Sequence, residues 1–298
     1  MATLTATTES PRTETEAPDP GRRSYRRRHL LWYVALTLVA LIMIYPLLWM
    51  ISSSLMPESM IFTDQSLWPS KASFDNYVSG WTETGESFSV YLINSALIAA
   101  ISIVGNLLSC SLVGYAFARL SFPGRRLWFA LMLGTVMLPS HVTLVPQYIL
   151  FVKLGWADTM APLTVPKFFA VDAFFIFLMV QFMRGIPRDI DAAAMLDGAG
   201  PWRIYRHIVL PQIRPALVTA AIFTFIWSWN DFFTQLLYLS TPSRQTVSLG
   251  LQTFLGDTDQ HWGAMFAMTT ISLLPVLIVF VTFQKLIVEG ANIGGLKG

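Results

Sequence analysis

The sequence predicts an all-α polytopic membrane protein with six transmembrane helices, and three observations carry that prediction. Charged residues make up 13% of the 298 positions and hydrophobic ones 54%, whereas a soluble chain carries roughly a quarter charged. The charges leave long windows empty at Leu30–Pro57, Ser87–Ala118, Leu127–Val152 and Gln260–Gln284. Each window exceeds the roughly 20 apolar residues that cross a bilayer's hydrocarbon core. The basic residues alternate from one connection to the next, which requires an even number of spans.

In chain order, residues 1–29 read as a disordered, basic cytoplasmic tail. They are rich in Thr, Glu and Pro as far as Gly21, too polar to bury surface that would offset their ordering entropy. The run Arg22, Arg23, Arg26, Arg27, Arg28 follows. A twin-arginine or secretory signal is the competing reading. The apolar segment behind the run is long enough to span and shows no small-residue cleavage site, so it reads as an uncleaved first helix. Residues 30–298 form the transmembrane domain. Its spans are expected at Leu31–Ser52, Val90–Phe117, Leu127–Phe151, Pro162–Phe182, Ala216–Leu239 and Trp262–Ile287.

With both termini cytoplasmic, the inside segments hold the Arg22–Arg28 run, Arg119, Arg125, Arg126, Arg184, Arg188, Arg203, Arg206, Arg214, Lys285 and Lys297. The outside segments hold Lys71, Lys153, Lys167 and Arg244, beside Asp64, Asp75, Glu83, Glu86, Asp257 and Asp259. Every loop in turn obeys the positive-inside rule. The second span carries small residues at every fourth position, Ser102, Asn106, Cys110, Gly114 and Ala118. That spacing lines one face and lets a neighbouring helix approach closely. Cys110 is the single cysteine, and the four histidines are scattered, so neither a disulfide framework nor a metal site is expected.

The segment from Ile186 to Pro215 reads IPRDIDAAAMLDGAGPWRIYRHIVLPQIRP. Physically it is two short helices with a glycine break. Asp189–Asp197 has acids at its start and alanines at Ala192, Ala193 and Ala194, which suits a helix N-terminus and interior. Gly198 and Gly200 end it, Pro201 opens a second helix at its first turn, and that helix closes at Leu210–Pro211. A nucleic-acid reader or an interfacial amphipathic helix would share this composition. The first has little freedom between two spans, and the second has no use for the Gly-Pro break.

This loop is similar to the EAA loop of ABC importer permeases. The alanine pair is Ala193 and Ala194, the Asp-Gly is Asp197 and Gly198, and the later Ile-x-Leu-Pro is Ile208, Leu210 and Pro211. One position departs: the residue before the alanine pair, usually Glu, is Ala192, with the nearest acid at Asp191. The resemblance extends to Tyr115 through Arg119 with Phe122 through Arg125, to Trp229–Asn230–Asp231, to Trp68–Pro69 with Asn76–Tyr77, and to Glu289 through Gly298. Together these single out MalG-like, carbohydrate-type permeases and the type I ABC importer transmembrane domain. The resemblance implies a coupling loop over residues 184–215 that docks on a separate ATPase through Asp191, Ala193, Ala194, Asp197, Gly198, Ile208, Leu210 and Pro211. It further implies an outer loop, 240–261, that reaches into an extracytoplasmic solute-binding protein, and a C-terminal tail that touches the ATPase dimer interface.

The expected assembly pairs this chain with a second homologous permease and two ATPase subunits in a bacterial or archaeal inner membrane. The chain has no Walker A pattern, G-x-x-x-x-G-K-[ST], so ATP and magnesium belong to the partner ATPase and the chain itself needs no cofactor. No catalytic set, metal site or nucleic-acid partner is expected. Candidate pathway residues are Asp172, Trp229, Asn230 and Asp231, since intramembrane polar groups are costly and mark function by default. A helix-packing hydrogen bond or ion pair is the equal alternative for the acids. Trp227, Trp229, Phe232 and Phe233 offer faces on which a sugar ring would stack, although aromatics in such numbers more often face lipid or core. The expected solute is a sugar, with a polyol or glycerol-phosphate-type solute as the alternative. An ion-coupled secondary transporter would call for an internal repeat and a charged midplane relay, and a membrane enzyme for a convergent nucleophile and base; neither feature is visible.

Overall fold

The computed structural model describes residues 20–64, 66–83, 85–256 and 260–295, without the side chains of 20–30, 140–141 and 285–295. The expectations for residues 1–19, for the side chains of the Arg22–Arg28 run and Lys285, for Asp257 and Asp259, and for the side chains of the C-terminal tail lie outside the described residues. The chain divides after Trp49 into two units.

The first unit holds most of helix α1, Pro20–Ser54. The tail expected over 1–29 therefore gives way to helix by Pro20. A proline is harmless at the first helical position, and the arginines that follow are good helix formers.

The second unit is built around α3, Phe88–Arg119, after the short α2, Asp75–Thr82. The small-residue face of α3 is buried as expected: Ser102, Asn106, Cys110, Gly114 and Ala118 are all interior. A Cβ on Gly114 would lie 2.9 Å from Cβ of Met179, so the absent side chain is what admits α7, Ala173–Arg184. Around this contact Cys110, Phe175, Met179, Val209 and Ala216 form the main buried cluster.

Other expected spans are interrupted. The third splits into α4, Arg125–Thr135, and α5, Ser140–Lys153, because Pro139 removes a backbone donor and pushes Leu138 out of the helical region. The fourth begins as α6, Ala161–Thr164, tightens into a 3₁₀ turn over Val165–Phe169, and passes a left-handed Ala170 (φ 53°) before α7. After α8, Arg188–Leu196, and α9, Pro201–Gln212, the chain bends by 75° into α10, Arg214–Asn230. The fifth span then breaks at Asp231, and α11 resumes over Phe233–Tyr238. Asp231 Oδ1 accepts the Thr234 N–H at 3.1 Å, the local bond by which Asp favours a helix start over a helix interior. The sequence thus predicts a single run where the chain uses a capped break.

On the outer loop, α12, Val247–Gln252, precedes α13, Trp262–Gly295. The start of α13 is capped from a distance: the Glu58 carboxylate accepts the Trp262 and Gly263 N–H groups, both at 2.8 Å. These are donors that a helix N-terminus leaves without intrahelical partners. Leu31–Ser54, Phe88–Arg119, Ala161–Arg184 and Trp262–Gln284 are long and apolar enough to cross a membrane, and the bent pair α9–α10 is together a fifth such segment.

Candidate functional site

The loop from Arg184 to Pro215 owes its shape to its glycines and prolines. Helix α8 closes at Asp197, and Gly198 takes φ +78°. Gly198 N–H then donates to the Met195 carbonyl at 3.0 Å and Ala199 N–H to the Ala194 carbonyl at 2.9 Å. These are the two reverse bonds of a Schellman cap, which requires a left-handed residue that glycine adopts without strain. Gly200 is extended, Pro201 begins α9, and a wider π-turn over Tyr205–Val209 lies within that helix. Pro201 enters where its missing N–H is harmless.

Helix α8 starts and ends one residue before the expected Asp189–Asp197, and the second helix runs to Gln212, just beyond the expected Leu210–Pro211. Outward, α8 and the start of α9 present Ala192, Ala193, Met195, Leu196, Asp197, Gly198 and Trp202, with Leu196 91% exposed. Inward, Asp191 is buried and pairs with Arg119 at the end of α3, Nη1 to Oδ2 3.3 Å. Of the expected coupling residues, Ala194, Asp197 and Ile208 meet in a hollow of about 370 Å³ between α8 and α9, together with Ala199, Arg203 and His207. Ala193, Gly198 and Pro211 are exposed beside it, Leu210 is half-buried, and Asp191 faces the body of the chain. In the sequence Arg203 counts only toward the inside charge and His207 only as one of four scattered histidines, and neither role points to this hollow.

A larger cavity, about 980 Å³, opens between α3, α5, α10 and α11. Its volume lies at the upper end of the range for small-molecule sites, roughly 300–1,000 Å³. Asn230 and Asp231 line it, as do Trp227, Lys167, Ser102 and Tyr238. Asp172 does not line it; its Oδ2 lies 2.9 Å from Nζ of Lys167, five residues earlier, a local ion pair and not the expected one to another helix. Trp229 points elsewhere. It is 6% exposed, donates its indole N–H to the Ser272 carbonyl at 3.2 Å, and stacks on Phe225. Ser102 and Tyr238 went unselected; each carries a buried hydroxyl with no hydrogen-bond partner among the described residues.

The outer loop is more than a solvated connection. Val247, Leu249 and Gly250 of α12 are buried. The segment before it is clasped by Asp158, itself at φ 55°. Its carboxylate accepts the Ser240 and Thr241 N–H groups at 2.9 Å and the Thr241 hydroxyl at 2.5 Å, and pairs with Arg244 at 3.2 Å. The Thr241 hydroxyl and N–H, followed by the Ser240 N–H, hold this carboxyl well below the ordinary carboxylate range. Among the described residues no cluster of His, Cys, Asp or Glu is arranged to hold a metal ion.

Residues 110–292 match the family model described as binding-protein-dependent transport system inner membrane component. The chain is 35% identical to the trehalose transport system permease protein SugB of Mycobacterium tuberculosis, over 91% of this chain and 99% of that protein. It is 33% identical to the trehalose/maltose transport system permease protein MalG of Thermococcus litoralis, over 91% and 98%. It is 29% identical to the diacetylchitobiose uptake system permease protein NgcG of Streptomyces coelicolor, over 92% and 91%. Its fold matches a chain of a bacterial ABC transporter that imports the polysaccharide alginate, with a TM-score of 0.78 at 22% identity over 88% of this chain and 97% of that one.

Proposed function

The chain belongs to the family of binding-protein-dependent transport system inner membrane components, and from that premise we propose that it is a permease subunit of an ATP-driven sugar importer. It is a multi-pass membrane protein with no enzymatic role of its own. ATP and magnesium bind to a separate ATPase, and the chain contributes half of the translocation path beside a second permease. A solute-binding protein outside the membrane delivers the sugar; relatives named for trehalose, maltose and diacetylchitobiose support that solute class.

The observation that carries the ATPase contact is the outward face of α8. Met195 is 59% exposed and Leu196 91%, at the C-terminal tip of a helix that is pinned one turn earlier by a buried ion pair. Exposed apolar side chains on a rigidly held, small-residue helix suit insertion into a protein groove. Nucleotide-dependent closure of the ATPase would then shift the permease between two states in proportion to its differential contact with each. On the cavity side, Asn230 and Asp231 are among the polar groups, and Trp227 offers an aromatic face, that a sugar would meet.

The test is a pull-down through a tag on this chain, followed by uptake of labelled trehalose and maltose in cells carrying Gly198→Val. A β-branched residue is strained at φ +78°, as the left-handed region costs L residues about 1–2 kcal/mol. The variant is expected to reach the membrane with its ATPase bound while uptake falls by about tenfold or more. No ATPase in the pull-down, or uptake unchanged for both sugars by Gly198→Val, would overturn the reading.

A further inference from the structure

Helix α3 is fastened at both ends, and each fastening holds a loop on an opposite side of the molecule. At its C-terminal end Arg119 pairs with Asp191 of α8 and donates to the Ile186 carbonyl at 2.9 Å. One helical turn before Arg119 the Tyr115 hydroxyl donates to the Pro201 carbonyl at 3.0 Å, and a turn before that Ser111 shares a 2.8 Å hydrogen bond with the Tyr205 hydroxyl. Both halves of the 184–215 loop are therefore tied to one helix. At the N-terminal end, the Asn94 amide donates to the Ser243 carbonyl at 3.0 Å and the Gln245 carbonyl at 2.8 Å. Ser95 Oγ accepts the Val247 N–H at 3.0 Å. A Cβ on Gly250 would stand 2.5 Å from the Tyr91 ring, so α12 lies as close to α3 as a backbone allows.

Between these ends α3 is continuous. It contains no proline, and its 32 residues span about 48 Å at 1.5 Å per residue. The neighbouring segments are broken at Pro139, Ala170 and Asp231. Helix α10 begins inside the 184–215 loop and reaches the outer segment by one bond, the Ser248 hydroxyl donating to the Trp229 carbonyl at 3.2 Å; α3 is the helix that holds both by several side-chain bonds. Midway, Ile98 and Ser102 line the large cavity, and the Asn106 amide bonds Thr224 of α10 at 2.8 Å.

We propose that α3 is the strut by which the state of the 184–215 loop reaches the outer segment Ser243–Gln252, with Arg119, Tyr115 and Ser111 as its inner positioning residues and Asn94 and Ser95 as its outer ones. The proposal rests on the reading of the inner loop as the ATPase dock. A push on α8 enters α3 through a buried, charge-paired contact instead of a flexible connection, so α3 moves with the loop. The outer segment follows because its carbonyls and the first N–H of α12 are bonded to α3. Energetic coupling between distant sites needs such a contiguous, discretely packed element, and its demonstration is a measured coupling and not proximity alone.

The experiment uses the complete complex purified through this chain, with Mg-ATP and vanadate as the probe and backbone deuterium uptake as the readout at Arg188–Leu196 and at Gln245–Gln252. In the unmodified protein, trapping nucleotide changes uptake at both segments. Arg119→Leu and Asn94→Leu are each expected to leave the ATPase bound and to reduce the outer change by about fivefold or more. Arg119→Lys, which keeps a cation beside Asp191, restores much of it. The double variant is no worse than the worse single one, because a strut cut at one end transmits nothing further when cut at the other. Should Arg119→Leu fail to assemble, Arg119→Leu with Asp191→Leu makes the inner cut without stranding a charge, under the same criteria. An outer response that survives either cut, that is missing from the unmodified complex while α8 responds, or that falls multiplicatively in the double variant overturns the proposal. Lack of response at α8 itself in the unmodified complex would instead overturn the ATPase-dock reading.

Discussion

Two arginine–aspartate pairs, one at each loop, have nearly the same separation and opposite surroundings. Arg119 and Asp191 lie 3.3 Å apart with side chains 4% and 12% exposed; Arg244 and Asp158 lie 3.2 Å apart with side chains 52% and 26% exposed. The inner pair has little in reserve. Arg119 Nε and Asp191 Oδ1 are buried with no partner among the described residues, so each charge depends chiefly on the other. The outer aspartate is over-supplied, since two backbone N–H groups and a hydroxyl already bind it before Arg244 is counted. The same two residue types therefore act as a structural pin in one loop and as a supplementary contact in the other. Burial and the count of alternative donors make the difference, not distance.

The largest expected effect comes from breaking the inner pin. Arg119→Ala strands Asp191 in a buried position, and loss of one partner from a buried ion pair typically costs about 3–5 kcal/mol. Thermal unfolding of the detergent-solubilised protein should show a large fall in midpoint for Arg119→Ala. Replacing both partners with apolar residues of similar volume should recover most of it, because the desolvation penalty disappears with the charges. A small shift for the single variant would mean that Asp191 finds water or another donor, and the contrast between the two loops would lose its basis.

The sequence could anticipate one of these loops much better than the other. The inner loop is punctuated by residues whose backbone needs are specific. Gly198 at a positive φ and Pro201 at a helix start admit few conformations, so α8 and the opening of α9 were legible in order and extent. The small-residue face of α3 was legible for the same kind of reason, as Gly114 has a steric duty that no larger residue can perform. Partners far apart in the chain were not legible. Nothing near Asp191 announces that its partner is Arg119, so it read as part of the docking surface when it in fact faces inward. Asp158 looked like an ordinary loop acid, because its role depends on Ser240 and Thr241 arriving beside it. Trp229 was misplaced relative to the cavity, although Thr224 and Ser228 stand at i, i+4 and line it with Asp231; that row is short in an otherwise apolar helix and marks Trp227, not Trp229, as the aromatic beside it. The break at Leu138–Pro139 lies inside a charge-free window, Leu127–Val152, whose length alone reads as one span.

Removing the outer arginine should have a far smaller effect. Arg244→Ala takes away a half-exposed cation whose partner keeps its other donors, and exposed pairs contribute about 0–1 kcal/mol. The melting midpoint should stay close to that of the unmodified protein, and what change there is should shrink as salt is added, since screening acts on exposed charges first. A fall comparable to that of Arg119→Ala would show that the outer clasp depends on its ion pair after all. It would move the outer loop into the same class as the inner one.

The smallest effect near neutral pH is expected from titration of Asp158, and it sharpens the comparison by isolating the hydrogen bonds from the ion pair. Its carboxyl is held below the ordinary value of 3.8 by Thr241 and Ser240. A folded value below the unfolded one means that the carboxylate stabilises the fold fully above 3.8, and that this contribution fades as pH falls from there towards the lower folded value. Hydrogen exchange of the Ser240 and Thr241 amides, corrected for intrinsic rate, should therefore be flat from about pH 8 to about pH 5 and lose protection only below the ordinary carboxyl range. Arg244→Ala should retain that profile, because the two N–H groups and the hydroxyl remain. Asp158→Asn should weaken protection at every pH and remove the acid transition. If Arg244→Ala instead abolished the transition, the arginine and not the amide donors would set the carboxyl's acidity, and the outer clasp would be an ion pair in function as well as in appearance.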